Sequence, residues 1–345
     1  MPYFRIRHLT RYEFEAPVRE AVMEARLQPR DDQGQSVVAF DLSISPRVPV
    51  SSYRDWAGNT VHHFDIPRTH THQEVAAESV VRVDWSARQQ DFPQALPEDT
   101  WQHYAQLRAM PENIDMVLAS TFAHRSDRLA DLTQTLEVGR AKDPLSTVWH
   151  ASHAIYMHFA YKPESTQVDS PIDDAIESRS GVCQDFAHIL IALLRGLGIP
   201  ARYVSGYLVP ESEEQDQKKD PGSVDGGAGA QPAEASHAWV EAMLPTLGWV
   251  GIDPTHDRWA FDGYIRTAIG RDYADVPPVR GVYRGSAESE LTVAVEVTLL
   301  DGPPSTASAP PTSGWTPPEP VEDYVEDTDP LPFEYAAQQM QQQQR

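Results

Sequence analysis

Between Tyr3 and Asp84 apolar and polar residues alternate in short runs: Phe4-Arg5-Ile6-Arg7, Tyr12-Glu13-Phe14, Ala21 to Leu27, Val37 to Ser45, Thr60 to Ile66 and Val75 to Val83. A period of two buries one face of each strand. Turn residues such as Asp55-Trp56-Ala57-Gly58-Asn59 separate the runs, and together these features predict an antiparallel β-sandwich over residues 1–95. Pro93-Gln94-Ala95-Leu96-Pro97 marks its end. Beyond that point the period lengthens. Asn113 to His124, Arg128 to Val138 and Pro144 to Phe159 have helical spacing, the last opened by Asp143 as N-cap and Pro144 in the first turn. A further helix runs from Cys183 to Leu197, with Phe186, Ile189, Leu190, Leu193, Leu194 and Leu197 as its apolar stripe. Strands follow at Arg202 to Val209, His237 to Leu244 and Trp249 to Asp253, with a last one at Leu291 to Leu299. Helices followed by antiparallel strands predict an α+β second domain over residues 100–300.

Two segments fall outside this pattern. Glu211 to Ala235 is polar and Gly-rich, and residues 302–345 are rich in Pro, acidic residues and Gln. Neither has enough apolar surface to offset the entropy of ordering, so a flexible loop and a disordered tail are expected. The 345-residue length agrees with two cores. No run approaches the roughly 18 apolar residues of a membrane-spanning helix, and the first ten residues lack the apolar stretch of a secretory signal. A cytoplasmic location is the expectation. Acidic residues outnumber basic ones 51 to 28, a net charge of −23 that argues against nucleic acid or an anionic membrane surface as partner.

A single cysteine, Cys183, rules out an internal disulfide and a four-thiolate zinc site. Its context is informative. Ser180-Gly181-Val182-Cys183-Gln184-Asp185 places the thiol where a polar turn enters an apolar helix. There the macrodipole and unpaired N–H groups favour a thiolate, and the same N–H groups suit the oxyanion of a tetrahedral intermediate. Acyl transfer also needs an acid–base and a residue to orient it. His237 opens one predicted strand, Asp253 closes the next, and Leu244-Pro245-Thr246-Leu247-Gly248 reads as the turn of a hairpin. If Met243 faces Trp249, Asp253 lies opposite Trp239 and His237 is on the same face within diagonal reach. A loop one residue shorter would put the two side chains on opposite faces.

These blocks resemble the transglutaminase-like family, in particular the bacterial group with an N-terminal β domain. The similarity rests on Arg179 to His188, Leu197-Gly198-Ile199-Pro200-Ala201-Arg202 to Tyr207, Ser236-His237-Ala238-Trp239-Val240-Glu241, Gly251-Ile252-Asp253-Pro254-Thr255 and Gly270 to Gly281. The resemblance implies a papain-like core with Cys183 as nucleophile, His237 as general base and acid, and Asp253 orienting His237. The matched blocks do not mark a second oxyanion donor, for which Gln184 and Tyr161 are candidates. A protein or peptide substrate is implied, with the thioester resolved by water or by an amine. A non-catalytic binding module on the same scaffold is the alternative. His70 and His72 have metal-ligand spacing but nothing nearby in sequence to complete a site, and they read as exposed loop histidines. His188 reads as helix packing. No phosphate-binding or dinucleotide glycine motif and no calcium loop is present, so no cofactor is expected.

Overall fold

The computed structural model describes residues 1–32, 34–84, 101–163, 165–209 and 236–303. The expected boundary at Pro93 to Pro97, the loop 211–235 and the tail from 304 onward lie outside the described residues.

One strand organises the N-terminal unit. β1 (Tyr3–Ala25) runs 23 residues, where the sequence suggested three short strands. Its first part pairs with β5 (His70–Val83) from Tyr3 to Glu13, and its last part pairs with β4 (Thr60–Ile66) from Ala21 to Ala25. Between them the register shifts, Pro17 interrupts the ladder, and Glu20 takes φ 55°. An extra, unpaired stretch bends a strand and raises its twist. The sheet therefore curls. Its sides enclose Tyr12, Phe14, Val18, Met23, Phe64 and Val75 as one buried cluster. β2 (Gln35–Ser45) flanks β5, and β3 (Val50–Arg54) flanks β4.

After this sheet come α1 (Tyr104–Leu107), α2 (Pro111–Ile114), α3 (Asp127–Thr135) and α4 (Pro144–His158). Asp143 caps α4 by accepting from the Ser146 N–H at 2.7 Å, with Pro144 at the start of the helix, as the sequence predicted. The expected helix from Asn113 to His124 is not formed beyond Ile114. Arg195 is the physical reason. Its guanidinium is buried and donates to the carbonyls of Met116 at 3.0 Å and Leu118 at 2.9 Å, holding the chain in an irregular path.

The core of the second unit packs α6 (Cys183–Gly196) against an antiparallel sheet. That sheet has the order β11-β10-β9-β8-β12, from β8 (Ala201–Leu208), β9 (Ser236–Leu244), β10 (Gly248–Asp253), β11 (Arg258–Trp259) and β12 (Tyr264–Gly270). α5 (Ile172–Ser178) and the short parallel pair β6 (Ala160–Tyr161) and β7 (Ser180–Gly181) lead into α6. The arrangement is α+β, as expected, with a β unit before it.

The sequence reading placed residues 100–300 together in the second domain. β13 (Val279–Arg284) and β14 (Ser289–Leu300) both pair with β1, so the chain returns to complete the N-terminal sheet. The alternation of Leu291 to Leu299 announced a strand but not its partner. The two units are also joined along β12, the sheet's open edge. Gln35 donates to the Arg266 carbonyl at 2.7 Å and accepts from its N–H at 3.0 Å; Asn59 does the same to Ile269 at 2.8 and 2.9 Å. Side-chain amides thus satisfy the groups that an exposed edge would leave unpaired. No helix among the described residues is long and apolar enough to cross a membrane.

Candidate active site

Cys183 is the first residue of α6 and is half-buried. The preceding Val182 supplies no side-chain acceptor, so the first turn is not capped from its N-terminal side. Asp185 instead reaches back, accepting from the Val182 N–H at 2.8 Å and from the Thr166 hydroxyl at 2.6 Å. Burial pushes the Asp185 carboxyl above its usual range, and these two hydrogen bonds pull it back in part. Gly181 is required by close approach: a Cβ there would lie 2.8 Å from Asp185 side-chain atoms.

His237 and Asp253 come together as the hairpin arithmetic requires. Trp249 pairs with Met243 and Ile252 with Val240, the register that places Asp253 diagonally from His237. His237 Nε2 lies 2.8 Å from Asp253 Oδ2, and both side chains are buried. The same oxygen accepts from His256 Nδ1 at 2.8 Å and from the Tyr264 hydroxyl at 2.6 Å, while Oδ1 accepts from the Thr255 N–H at 2.8 Å. Burial alone would raise the Asp253 pKa. Attraction to His237 and the hydrogen bonds from His237 and His256 outweigh it and hold the carboxyl well below the ordinary range. Tyr264 is pushed the other way, by its own burial and then by the Asp253 charge. Arg258 Nε donates to the Tyr264 oxygen at 2.9 Å and so orders that hydroxyl.

Cys183 and His237 line one cleft that opens to solvent. Its walls come from the start of α6, from Tyr203 to Tyr207 on β8, from Ser236 to Ala238 on β9, and from His8 and Arg26 of the N-terminal sheet. Gly206 pairs with His237 across the ladder. A Cβ on Gly206 would stand 2.2 Å from the Ile265 carbonyl oxygen and 2.5 Å from Trp239, so only glycine lets the strands close at this point.

Of the two candidate oxyanion donors, Gln184 lines the cleft and donates through Nε2 to the Val168 carbonyl at 2.7 Å. Tyr161 does not line it; its ring sits edge-on to Phe186, 6.4 Å between centroids. His188 is buried, stacks on Phe122 and accepts from the Tyr273 N–H at 3.2 Å, the packing role expected of it. His70 departs from expectation. It is a buried strand residue, with Nδ1 2.8 Å from the Arg68 carbonyl and its ring against Phe14.

Sequence reasoning missed His256 and Tyr264 as partners of Asp253, and His8 and Arg26 as cleft residues. An Asp-Pro-Thr-His turn, with the Thr255 amide bonded back to Asp253, was the available signal for His256. The other three are distant in sequence and carried none. His237, Asp253 and His256 are the one His/Cys/Asp/Glu group among the described residues close enough to hold a metal ion. Its spacing is that of hydrogen bonds. Both nitrogens lie 2.8 Å from Oδ2, whereas ligands about 2.0–2.1 Å from a tetrahedral zinc stand roughly 3.3 Å apart.

Residues 4–82 match the bacterial transglutaminase-like N-terminal region and residues 131–254 match the transglutaminase-like superfamily. The chain belongs to this bacterial transglutaminase-like family. The uncharacterized protein ML0607 of Mycobacterium leprae is 34% identical over 297 residues, 86% of this chain and 98% of that one. A solved structure from Cytophaga hutchinsonii, provisionally named a cysteine protease, shares the fold with a TM-score of 0.63 at 22% identity, covering 87% of this chain and 91% of that one. A protein-glutamine gamma-glutamyltransferase of Pseudomonas aeruginosa is 36% identical over 100 residues, 28% of this chain and 14% of that protein.

Proposed function

We propose that this protein is a thiol acyl-transfer enzyme acting on peptide or isopeptide-like amides, with Cys183 as nucleophile, His237 as acid–base and Asp253 as the residue that orients it. The observation that carries the reading is the 2.8 Å contact of His237 Nε2 with a fully buried carboxylate, in a cleft shared with a helix-start cysteine. With Nε2 committed to Asp253, Nδ1 is the nitrogen that takes the thiol proton. The thiolate attacks the amide carbonyl, and the oxyanion is met by N–H groups of the uncapped first turn of α6. His237 returns the proton to the leaving amine as the C–N bond breaks, leaving an acyl group on Sγ as a thioester. Water or a primary amine, deprotonated by His237, then attacks the thioester and the thiolate is regenerated.

Both outcomes share every step up to the thioester. The open cleft admits water to a half-buried thiol, which supports hydrolysis. Amine transfer is the activity named for the Pseudomonas relative. The test is the rate of Cys183 alkylation by iodoacetamide against pH, read by intact mass in wild type and His237→Ala. The single cysteine makes the signal unambiguous. Reaction well below pH 7 in wild type, moved by the substitution toward the ordinary thiol value near 8.5, is the expected result. Identical profiles for the two proteins, rising only near that value, would make the scaffold a binding module instead.

A further inference from the structure

Asp253 Oδ2 receives three hydrogen bonds, and one of the donors differs from the other two. His237 and His256 can carry a hydrogen on either ring nitrogen, and the His256 side chain is 39% exposed. Tyr264 is 1% exposed, and its hydroxyl stands 2.6 Å from Oδ2. Arg258 Nε reaches the same hydroxyl at 2.9 Å. A guanidinium has no acceptor, so it fills a lone pair of the phenol oxygen and leaves the hydroxyl hydrogen for Asp253. Burial and then the Asp253 charge push the Tyr264 pKa up, which keeps that hydrogen in place at any working pH.

Arg258 and Tyr264 come from opposite edges of one sheet. Arg258 is on β11 and pairs with Asp253 across the ladder, whereas Tyr264 opens β12, the other outer strand in the order β11-β10-β9-β8-β12. Their contact links the two edges through side chains, with the guanidinium carbon 5.2 Å from the centre of the Tyr264 ring. Trp239 packs beside the pair. Its ring is edge-on to Tyr264 with 5.1 Å between centroids and stacked with His237 at 6.2 Å. The carboxylate that His237 meets is therefore held by residues of β11 and β12 as well as by its own turn.

We infer that Arg258 and Tyr264 are positioning residues for this site: Arg258 aims the Tyr264 hydroxyl hydrogen at Asp253 Oδ2, and that fixed donor makes the oxygen an acceptor only. The His237 nitrogen facing it must then supply the hydrogen, which stays on Nε2 and leaves Nδ1 for the thiol. The benefit to chemistry rests on the proposed acyl-transfer reading; control of the His237 tautomer does not. Both residues act through Asp253. A purely structural Tyr264 would support Trp239 and the sheet edges and have no hold on where His237 carries its hydrogen.

The test reads His237 directly in the full chain, by long-range proton–nitrogen NMR of protein labelled at histidine with nitrogen-15, near pH 8. His237→Gln assigns the signals among the 13 histidines. Wild type is expected to carry the hydrogen on Nε2, and a wild type protonated at Nδ1 overturns the inference at once. Tyr264→Phe keeps the ring and deletes the donor. The ratio of Nε2–H to Nδ1–H should fall roughly tenfold or more, as loss of one hydrogen bond to a charged group gives, so that the second tautomer becomes visible. Arg258→Met releases the hydroxyl hydrogen and should lower the ratio in the same direction, while Arg258→Lys keeps a donor and should restore part of it. Arg258→Met added to Tyr264→Phe should change nothing further. The exposed Tyr156→Phe should leave the ratio as it is. A ratio unmoved by Tyr264→Phe overturns the inference whatever happens to the melting point, and so do Arg258 and Tyr264 effects that add. Failure of the acyl-transfer reading looks different: Cys183 alkylation insensitive to His237→Ala, with the tautomer ratio still responsive to Tyr264→Phe.

Discussion

Asp253→Asn removes one charge from the site and almost no volume. In the wild type Oδ2 receives His237, His256 and Tyr264, and Oδ1 receives the Thr255 N–H. An amide offers one oxygen. Placed where Oδ2 was, it keeps three donors satisfied and sets its NH2 against the Thr255 N–H, at a cost of about 1–3 kcal/mol for the unsatisfied donors. The flipped amide faces three donors and would force His237 to give up its Nε2 proton, so the first arrangement prevails. His237 then keeps its tautomer and loses its counter-charge. Two charges about 4 Å apart at an effective dielectric near 20 attract by about 4 kcal/mol. A retained neutral hydrogen bond returns about 1 kcal/mol. The remaining loss of about 3 kcal/mol lowers the thiolate–imidazolium population roughly a hundredfold. The assay is Cys183 alkylation by iodoacetamide at pH 6, well below the melting point of both proteins. A decrease smaller than about threefold in a folded variant would refute the assignment of Asp253. Acid stability gives a second readout. A carboxyl whose folded pKa is depressed contributes stability that is present above its unfolded value of 3.8 and is lost as pH falls through the lower folded value. The Asn variant lacks that limb.

His256→Ala removes one of three donors from Asp253 Oδ2, and that donor is 39% exposed; a stability loss of about 1 kcal/mol and an alkylation change within tenfold are expected, by urea titration and intact mass. A loss equal to that of Asp253→Asn would make His256 the principal partner. Burial lowers the His8 pKa from 6.5 to about 4, so on acidification the unfolded chain takes up the proton first. Its stability contribution is complete above pH 6.5 and declines toward pH 4, by about 3 kcal/mol over the interval; urea titrations of His8→Gln at several pH values should show a flatter profile than wild type. Gly206→Ala places a methyl 2.2 Å from the Ile265 carbonyl oxygen and should cost about 3 kcal/mol, seen as a melting point lower by about 10 °C. Removing residues 1–84 strips β13 and β14 of β1, and the remaining chain is expected to be insoluble or unfolded by circular dichroism; a folded, soluble product with wild-type alkylation would show that the two units are independent.

The placement of the candidate site was legible in the sequence because it depends on short-range order. A helix start is announced by its apolar stripe, and a hairpin register by the length of one turn; both place Cys183, His237 and Asp253 without knowledge of distant contacts. The length of β1 was not legible. Alternation fades through Glu15-Ala16-Pro17, and a local reading cannot tell a bend within one strand from a gap between two. The helix expected from Asn113 to His124 failed for a different reason: its spacing was suitable, but Arg195, about 80 positions later, takes the carbonyls that helix continuation would have used. Tyr264 and Arg26 likewise reach the site only through the packing of sheets. Their roles are properties of tertiary structure, which outweighs local preference wherever a buried polar group needs a partner.

The return of β13 and β14 changes what the N-terminal unit can be. Had the chain been two consecutive domains, the first would be a detachable module, free to recruit partners and irrelevant to the chemistry. Instead the sheet begins with the first residues and closes with residues 279–300, so the cleft-bearing unit is an insertion between its strands. Phe4, Ile6, Val81 and Val83 of the sheet share a buried cluster with Tyr207 and Ile265 of the second unit. Tyr207 also lines the cleft and lies 3.0 Å from His8. Displacing the sheet would therefore expose that cluster, unpair β12 from Gln35 and Asn59, and open one wall of the cleft in a single event. The strand pairing that holds His237 and the cleft wall that His8 and Arg26 contribute depend on the same interface, so substitutions there should alter stability and Cys183 alkylation together.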